Sequence, residues 1–289
     1  MTATIDTPPV APAPPAPRRP AHAWFVVGAV LGGLMILQAA VSFAGLLARH
    51  IDTISIAAPA AHRLVVHSSS GNVTVTGTDR TDIAGTARRT WSFAQPQITT
   101  KHVGDTLELG VSCGWNISGY CGASFDLQVP AGTTVELHTS SGDVVATGLR
   151  ADATLSADSG RVSATDVVGT VTAGTSSGDV VIRNVTGDLA LSADSGHVDV
   201  ADASASRVTA HSSSGDIDLA LAADPQTVDA HADSGHVAVL LPDTAGVAYK
   251  LDLHADSGTT SGQVRTDPSS PRTITASTSS GDVSVAYSS

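Results

Sequence analysis

A Ser-Gly pair that recurs along the chain constrains the fold more than any other feature. From position 142 onward, its glycine returns after steps of 18, 18, 18, 19, 20, 23 and 23 residues. Alternating apolar residues flank each copy, and residues 64–75 repeat the same unit earlier in the chain. Alternation with period 2 on both sides of a Ser-Gly corner predicts strand, turn and strand. The corner glycines are Gly71, Gly142, Gly160, Gly178, Gly196, Gly215, Gly235, Gly258 and Gly281.

The constant corner favours a parallel β-solenoid with about 18–23 residues per coil. Eighteen residues at about 3.3 Å each trace about 60 Å, which suits one narrow coil. Inward positions are Val, Leu and Ala, and only 3% of the chain is aromatic. Stacked antiparallel hairpins are the alternative, but hairpins would alternate their turn chemistry instead of repeating one corner. We therefore expect an all-β solenoid.

The segment before the repeats predicts a membrane anchor. Residues 1–22 are rich in proline, which predicts a disordered tail. Residues 23–48 carry no formal charge, and a helix of that length would measure about 39 Å, enough to cross a hydrocarbon core of about 30 Å. The expected domains are thus the tail (1–22), a transmembrane helix (23–48), an N-terminal β region (49–134) and the solenoid (135–289).

The flanking charges predict how this anchor is oriented. Arg18 and Arg19 precede it and Arg49 follows it, which favours a cytoplasmic N-terminus and an extracytoplasmic C-terminal domain in the cell membrane. A cleaved signal peptide is the alternative, although the apolar run exceeds the usual core of about 7–15 residues. Gly28 and Gly32 form a small-xxx-small pair, through which two such helices could associate weakly.

Two cysteines, Cys113 and Cys121, lie in the N-terminal β region. If this side of the membrane is oxidising, we expect them to form a disulfide that closes a small loop. Two free buried thiols are the alternative.

The residue after each corner glycine alternates in charge. In a solenoid these residues form a column with a spacing of about 4.8 Å, where unbroken aspartates would repel one another. Placing Asp opposite Arg or His in successive coils would fix the register of one coil on the next. The members of this charge ladder are Asp143, Arg161, Asp179, His197, Asp216, His236 and Asp282.

No catalytic, cofactor-binding or metal-binding residues are assigned. The stretch Gly174-Thr-Ser-Ser-Gly178 matches the G-x-S-x-G nucleophile pattern, but that motif needs a strand-to-helix elbow, and here it is one copy of a repeated corner. His211, His231 and His254 share one outward column in consecutive coils, without other residues that would support a metal. A net charge of −12 argues against nucleic acid as a partner.

The passage from Val129-Pro130-Ala-Gly to Ser-Ser-Gly142-Asp-Val144, followed by recurring Ser-Gly-Asp-Val units, resembles the bacterial β-strand-repeat "putative adhesin" family. The resemblance covers about residues 54–289. It implies a domain of unknown function, often anchored beside the cell envelope, and it supplies no catalytic residues.

Together these features predict a membrane-anchored, non-catalytic binding or scaffolding protein of the cell envelope. Its expected partners are the lipid bilayer, through one helix, and an envelope polymer or protein. An envelope-stress sensor is an alternative that the sequence does not separate from the first. A polysaccharide-active β-helix enzyme is the third hypothesis. It needs a local carboxylate or Arg cluster that breaks the repeat on one face, and the inserts at 241–246 and 266–271 carry no convergent acid/base set.

Overall fold

A computed structural model of the chain describes residues 21–113 and 120–288. The described chain divides into two compact units between Ala44 and Gly45. Helix α1 spans Ala21–Leu47. Within the described ranges, no helix has the combination of length and hydropathy needed to cross a membrane. The transmembrane anchor at 23–48 therefore stays a prediction, and the expected tail lies outside the described residues apart from Ala21 and His22, which begin α1.

The second unit consists of β-strands. The first seven are β1 (His50–Pro59), β2 (Arg63–Ser68), β3 (Val73–Thr78), β4 (Asp82–Trp91), β5 (Gln97–Val103), β6 (Thr106–Ser112) and β7 (Cys121–Pro130). Twelve regular strands follow: β8 (Thr134–Ser141), β9 (Val144–Thr147), β10 (Ala153–Ser159), β11 (Val162–Val168), β12 (Val171–Ser177), β13 (Val180–Thr186), β14 (Leu189–Ser195), β15 (Val198–Ala203), β16 (Arg207–Ser214), β17 (Ile217–Leu221), β18 (Thr227–Ser234) and β19 (Val237–Leu241). The last four are β20 (Lys250–Ser257), β21 (Thr260–Gln263), β22 (Thr273–Ser280) and β23 (Val283–Tyr287).

These strands form two sheets. Sheet 1 has 12 strands in the order β1-β4-β7-β3-β9-β11-β13-β15-β17-β19-β23-β21. Sheet 2 has 11 strands in the order β20-β22-β18-β16-β14-β12-β10-β8-β2-β6-β5. One coil contributes one strand to each sheet, with a corner glycine between them, and equivalent strands of neighbouring coils pair in parallel. The expectation of an all-β fold of stacked parallel coils is confirmed.

The core lies between the two sheets and follows from the alternation in the sequence. In β14, for example, Leu189, Leu191 and Ala193 point inward and are almost fully buried, while the residues between them are exposed. Side chains on the two faces of a strand alternate because successive Cβ atoms point to opposite sides. Columns of Val, Leu, Ile and Ala therefore fill the interior along the whole stack.

Antiparallel strands close the N-terminal end of the stack. In sheet 1, β4 pairs antiparallel with β7, and β1 with β4; in sheet 2, β5 pairs antiparallel with β6. Ile56 and Ala58 of β1 are 8% and 9% exposed, so β1 extends the buried core at this end of sheet 1. The coil of β6 and β7 also lies outside the coil of β2 and β3, which reverses their order in the chain.

The last two coils are likewise stacked in the reverse of their sequence order. Strands β22 and β23, last in the chain, pair with β18 and β19, whereas β20 and β21 lie beyond them at the end of the stack. The expectation that the repeats stack consecutively is therefore wrong for these two coils, and His254 is not next to His231. The two 23-residue steps explain this exchange. Segment 242–249 carries the chain past the position of one coil to the end of the stack, and segment 264–272 brings it back to that position.

Candidate functional site

The corner glycines have a backbone conformation and a packing environment that exclude other residues. All nine have φ between +122° and +151°, a region that L-residues with a Cβ rarely adopt. A Cβ on Gly142 would lie 2.5 Å from the carbonyl oxygen of Gly71 in the neighbouring coil. At the later corners the same approach is as close or closer. The glycine is therefore needed both for the turn and for the stacking of one turn on the next.

The charge ladder bonds to the backbone as well as to neighbouring charges. Apart from Arg161, whose guanidinium has no acceptor atom, each charged or imidazole side chain of the ladder accepts a hydrogen bond from the backbone N–H of the equivalent residue in the next coil. The donor and acceptor atoms are Arg161 N to Asp143 Oδ1 (2.9 Å), His197 N to Asp179 Oδ1 (3.2 Å), Asp216 N to His197 Nδ1 (3.1 Å), His236 N to Asp216 Oδ1 (2.8 Å), Asp282 N to His236 Nδ1 (3.0 Å) and Thr259 N to Asp282 Oδ1 (2.8 Å). An imidazole accepts at Nδ1 only when that nitrogen carries no proton.

An ion pair accompanies this ladder. Arg161 Nη2 lies 3.4 Å from Asp179 Oδ2. His197 Nδ1 lies 3.6 Å from Asp216 Oδ2, but a ring that accepts a hydrogen bond at Nδ1 is neutral and makes no ion pair. Arg161 and Asp179 are exposed, so their pair contributes less than about 1 kcal/mol. The ladder therefore also satisfies backbone N–H groups that most corners present to their neighbours, which the charge pattern of the sequence did not reveal.

The coils alternate between two kinds along the stack. Two residues before the corner glycine, serine and aspartate alternate in stacking order as Ser140, Asp158, Ser176, Asp194, Ser213, Asp233, Ser279 and Asp256. In sequence order, Asp233 and Asp256 would be neighbours. Because the last two coils are exchanged, Ser279 lies between them and the alternation is unbroken.

Buried hydroxyl groups mark one of these two kinds of coil. The Oγ1 of Thr175 donates to Gly160 O at 3.0 Å, and the Oγ of Ser212 donates to Gly196 O at 3.2 Å. Thr139 and Thr278 make the same bond to Gly71 and Gly235. The equivalent position in the other kind of coil is alanine, as at Ala157, Ala193 and Ala232.

The outer face of sheet 2 carries an open groove of about 390 Å³. Its floor is a column of small residues, Ser156, Gly174 and Ser192, on β10, β12 and β14. His138 precedes this column and His211 follows it in the same register, so an imidazole stands at each end. Adjacent strands lie about 4.8 Å apart, and the strands that carry His138 and His211 are four steps apart in the sheet, which separates them by about 19 Å. Thr154, Thr172 and Thr209 line one side.

Further histidines extend this column. The rings of His211 and His231 stack with their centroids 5.4 Å apart, and those of His67 and His138 lie 6.0 Å apart. Asp233 Oδ1 lies 3.0 Å from His231 Nε2. Among the described residues, no group of three or more His, Cys, Asp or Glu side chains is arranged to hold a metal ion.

The G-x-S-x-G stretch is part of a corner. Ser176 is an exposed residue of β12, and strand β13 follows Gly178. A nucleophile elbow requires a helix at that point. Ser176 therefore lacks the local structure that would activate a serine nucleophile.

The two cysteines and a polar cluster tie down the irregular parts of the second unit. Cys113 and Cys121 form a disulfide with a Cα–Cα distance of 6.1 Å, between the end of β6 and the start of β7. At the other end, the buried Tyr249 donates from its hydroxyl to Asp224 Oδ1 at 2.8 Å. Burial, and then the bonded Asp224 carboxylate, raise the pKa of Tyr249. Arg265 bridges segment 242–249 and the ring of Tyr287.

The architecture defines the protein as a β-solenoid of two stacked sheets with a repeated Ser-Gly corner. A family model described as Toastrack DUF4097, a domain of unknown function, matches residues 53–286, and the chain belongs to that family.

Two solved structures share the fold. A putative adhesin from Parabacteroides distasonis is 12% identical, with a TM-score of 0.51; the match covers 81% of this chain and 97% of that one. A putative adhesin from Bacteroides fragilis is 15% identical, with a TM-score of 0.50; the match covers 83% and 97%. At such identities the likeness concerns the fold alone. No functionally curated protein matches the sequence.

Proposed function

We propose that the protein is a membrane-anchored, extracytoplasmic binding scaffold of adhesin-like type that recognises an envelope polysaccharide without cleaving it. The observation that carries the proposal is the groove on sheet 2, whose mostly apolar surface is bordered by the hydroxyl-bearing Thr154, Thr172 and Thr209. Sugar rings combine apolar faces with hydroxyl groups at their edges, so a polysaccharide suits an apolar trough that has a few hydroxyl groups along its side. Membership of the Toastrack family and the adhesin-like structural neighbours support a binding role.

Two features support the proposed membrane-anchored, extracytoplasmic location of the protein. The 26 uncharged residues at 23–48 are long enough to anchor the chain, and the disulfide between Cys113 and Cys121 is typical of an oxidising compartment. Protease added to intact cells should therefore digest the region after Arg49 and spare the segment before Ala23. Recovery of a soluble mature protein that begins near Gly45 would contradict the anchor.

A substitution that fills the groove tests whether the groove binds the polysaccharide. Ser156→Arg places a long side chain on the groove floor, and we expect it to reduce binding of purified wall polysaccharide at least tenfold in a pull-down titration. Ser163→Arg is the matched control, because Ser163 points outward from sheet 1 with similar exposure. Equal binding by the two variants would show that the groove is not the polysaccharide site.

A further inference from the structure

We propose that the open end of the stack, formed by β20 and β21, docks on the same end of a second copy of this chain. In this dimer, β20 pairs antiparallel with β20 of the copy, and the two cores become continuous. The proposal concerns self-association through strands and is independent of the groove.

The apolar residues of coil 250–263, which forms the end of the stack, are incompletely covered. Leu251, Leu253 and Ala255 point into the core, yet all three remain partly exposed. In the adjacent coil, the equivalent Ile274 and Ala276 have no exposure. The opposite strand contributes little cover, because Gly262 has no side chain and a Cβ there would already meet Leu251 Cδ1 at 2.8 Å.

The end also presents free backbone groups. Strand β20 is the last of sheet 2 and β21 the last of sheet 1, so each leaves one edge without a strand partner within the described chain. An edge strand of this kind readily pairs with another chain. At the other end of the stack the edge strands β1 and β5 run antiparallel to their neighbours, so the parallel stacking of coils ends there.

The charges on β20 are self-complementary in one antiparallel register. With Leu253 opposite Leu253 of the copy, Lys250 faces Asp256 of the copy and Asp252 faces His254 of the copy. The apolar side chains that point into the core are matched as well, since Leu251 faces Ala255 of the copy. Directly opposite residues of antiparallel strands have Cβ atoms about 4.5–5.5 Å apart, close enough for each pair to interact.

Neighbouring registers are opposed by like charges. A pairing centred on Asp252 would place that carboxylate against itself, and Lys250 against His254. A pairing centred on His254 would place Asp252 against Asp256. The register centred on Leu253 is therefore the favoured one. Strand β21, with the sequence Thr-Ser-Gly-Gln, carries no charge that would oppose the same two-fold arrangement in sheet 1. Because the interface is the same patch on both copies, association ends at the dimer.

Cross-linking of the full chain in detergent tests the contact. Leu253→Cys should form an intermolecular disulfide and give a dimer band on a non-reducing gel, since the two-fold axis passes beside this residue. Asp229→Cys, exposed on a strand inside the stack, is the control and should remain monomeric. Absence of a Leu253→Cys dimer, or equal cross-linking of both variants, would overturn the proposal.

Charge reversal tests the register and separates it from association through the N-terminal helix. In sedimentation velocity we expect Lys250→Asp alone, and Asp256→Lys alone, to weaken dimerisation at least tenfold. The double variant, Lys250→Asp with Asp256→Lys, should restore dimerisation to within threefold of the original chain. A monomeric original chain, or a double variant no stronger than the singles, would overturn the proposal.

Discussion

Each corner glycine meets two requirements: a backbone conformation with positive φ, and the absence of a Cβ where the neighbouring coil approaches. Gly178 adopts a φ of +147°, and its Cα faces the carbonyl oxygen of Gly160 so closely that a Cβ would collide with it. The first requirement is conformational and local, and the second is imposed by the neighbouring coil. Asn and Asp replace glycine at φ near +55°, as Asp166 and Asn184 do here, but at the corner's φ of +147° they would meet neither requirement.

Replacing this glycine should destabilise the whole stack. We expect Gly178→Ala to lower the free energy of unfolding by roughly 2–4 kcal/mol, because backbone strain and a steric clash act together. Gly110→Ala is the control, since Gly110 lies in strand β6 without a positive φ, and a Cβ added there would meet no atom within 4 Å. Urea unfolding followed by circular dichroism compares the two, and equal losses would contradict the stacking constraint.

Asp218 carries a small electrostatic penalty at neutral pH. Partial burial, and then the nearby carboxylates of Asp216 and Asp199, raise the pKa of Asp218 above its usual 3.8. A raised folded-state pKa means that stability is lost as pH rises from the ordinary pKa through the folded one. We therefore expect Asp218→Asn to stabilise the protein at pH 7 but not at pH 3. The gain should stay below about 1 kcal/mol, because the Asp218 side chain is only partly desolvated and remains open to solvent, which screens its charge.

Thermal unfolding at the two pH values measures this difference. Asp229→Asn, an exposed substitution on β18, should change stability little at either pH. A larger gain for Asp218→Asn at pH 3 than at pH 7 would reverse the expected sign.

At the scale of the element, the coil is the unit of stability, and it depends on its neighbours. A parallel strand has no local partner, so each coil is held by hydrogen bonds to the coils on either side. Within one described chain, the coil at the end of the stack, 250–263, has a neighbouring coil on one side only. Asp282 is its main polar connection at the corner, because Asp282 Oδ1 accepts from both Thr259 N and Thr259 Oγ1 at 2.8 Å.

Coil 250–263 should become less stable when the hydrogen bonds between Asp282 and Thr259 are removed. The hydroxyl and N–H of Thr259 hold the pKa of Asp282 below its usual 3.8. A lowered folded-state pKa gives stability that is present at neutral pH and is lost as pH falls through the folded value. We expect Asp282→Ala to increase amide hydrogen exchange across 250–263 at pH 7, and the original chain to lose its advantage over this variant below about pH 3.8.

The matched control for this experiment is Asp179→Ala, in the middle of the stack. It removes the equivalent hydrogen bond to His197, but the coil there is paired on both sides. Exchange across 250–263 should be unchanged in this control. Unchanged exchange in Asp282→Ala would show that the corner bond does not hold coil 250–263.

The direction of the strands was less predictable than their presence. Alternation identifies which residues of β1 and β4 are strand residues, but period 2 is the same for parallel and antiparallel pairing. The Ser-Gly corner indicated parallel coils only where it recurs. Strands β1, β4 and β5 lack it, and their antiparallel pairing depends on tertiary contacts with β7 and β6.

At the scale of the whole molecule, the order of the coils differs from their order in the chain. The sequence contains a signal for this, since the Ser/Asp alternation breaks at Asp233 and Asp256 and is restored when Ser279 lies between them. The groove was not predictable in the same way. It depends on Gly174 lying between Ser156 and Ser192, a coincidence of three coils that no single repeat reveals.

Engineered cysteine pairs test the exchanged order of the last coils most directly. Asp229 and Thr275 are neighbours in the register of β18 and β22, whereas consecutive stacking would make Asp229 a neighbour of Asp252. The fold predicts that Asp229→Cys with Thr275→Cys forms an intramolecular disulfide under mild oxidation, and that Asp229→Cys with Asp252→Cys does not. Efficient cross-linking of the second pair without the first would contradict the stacking order.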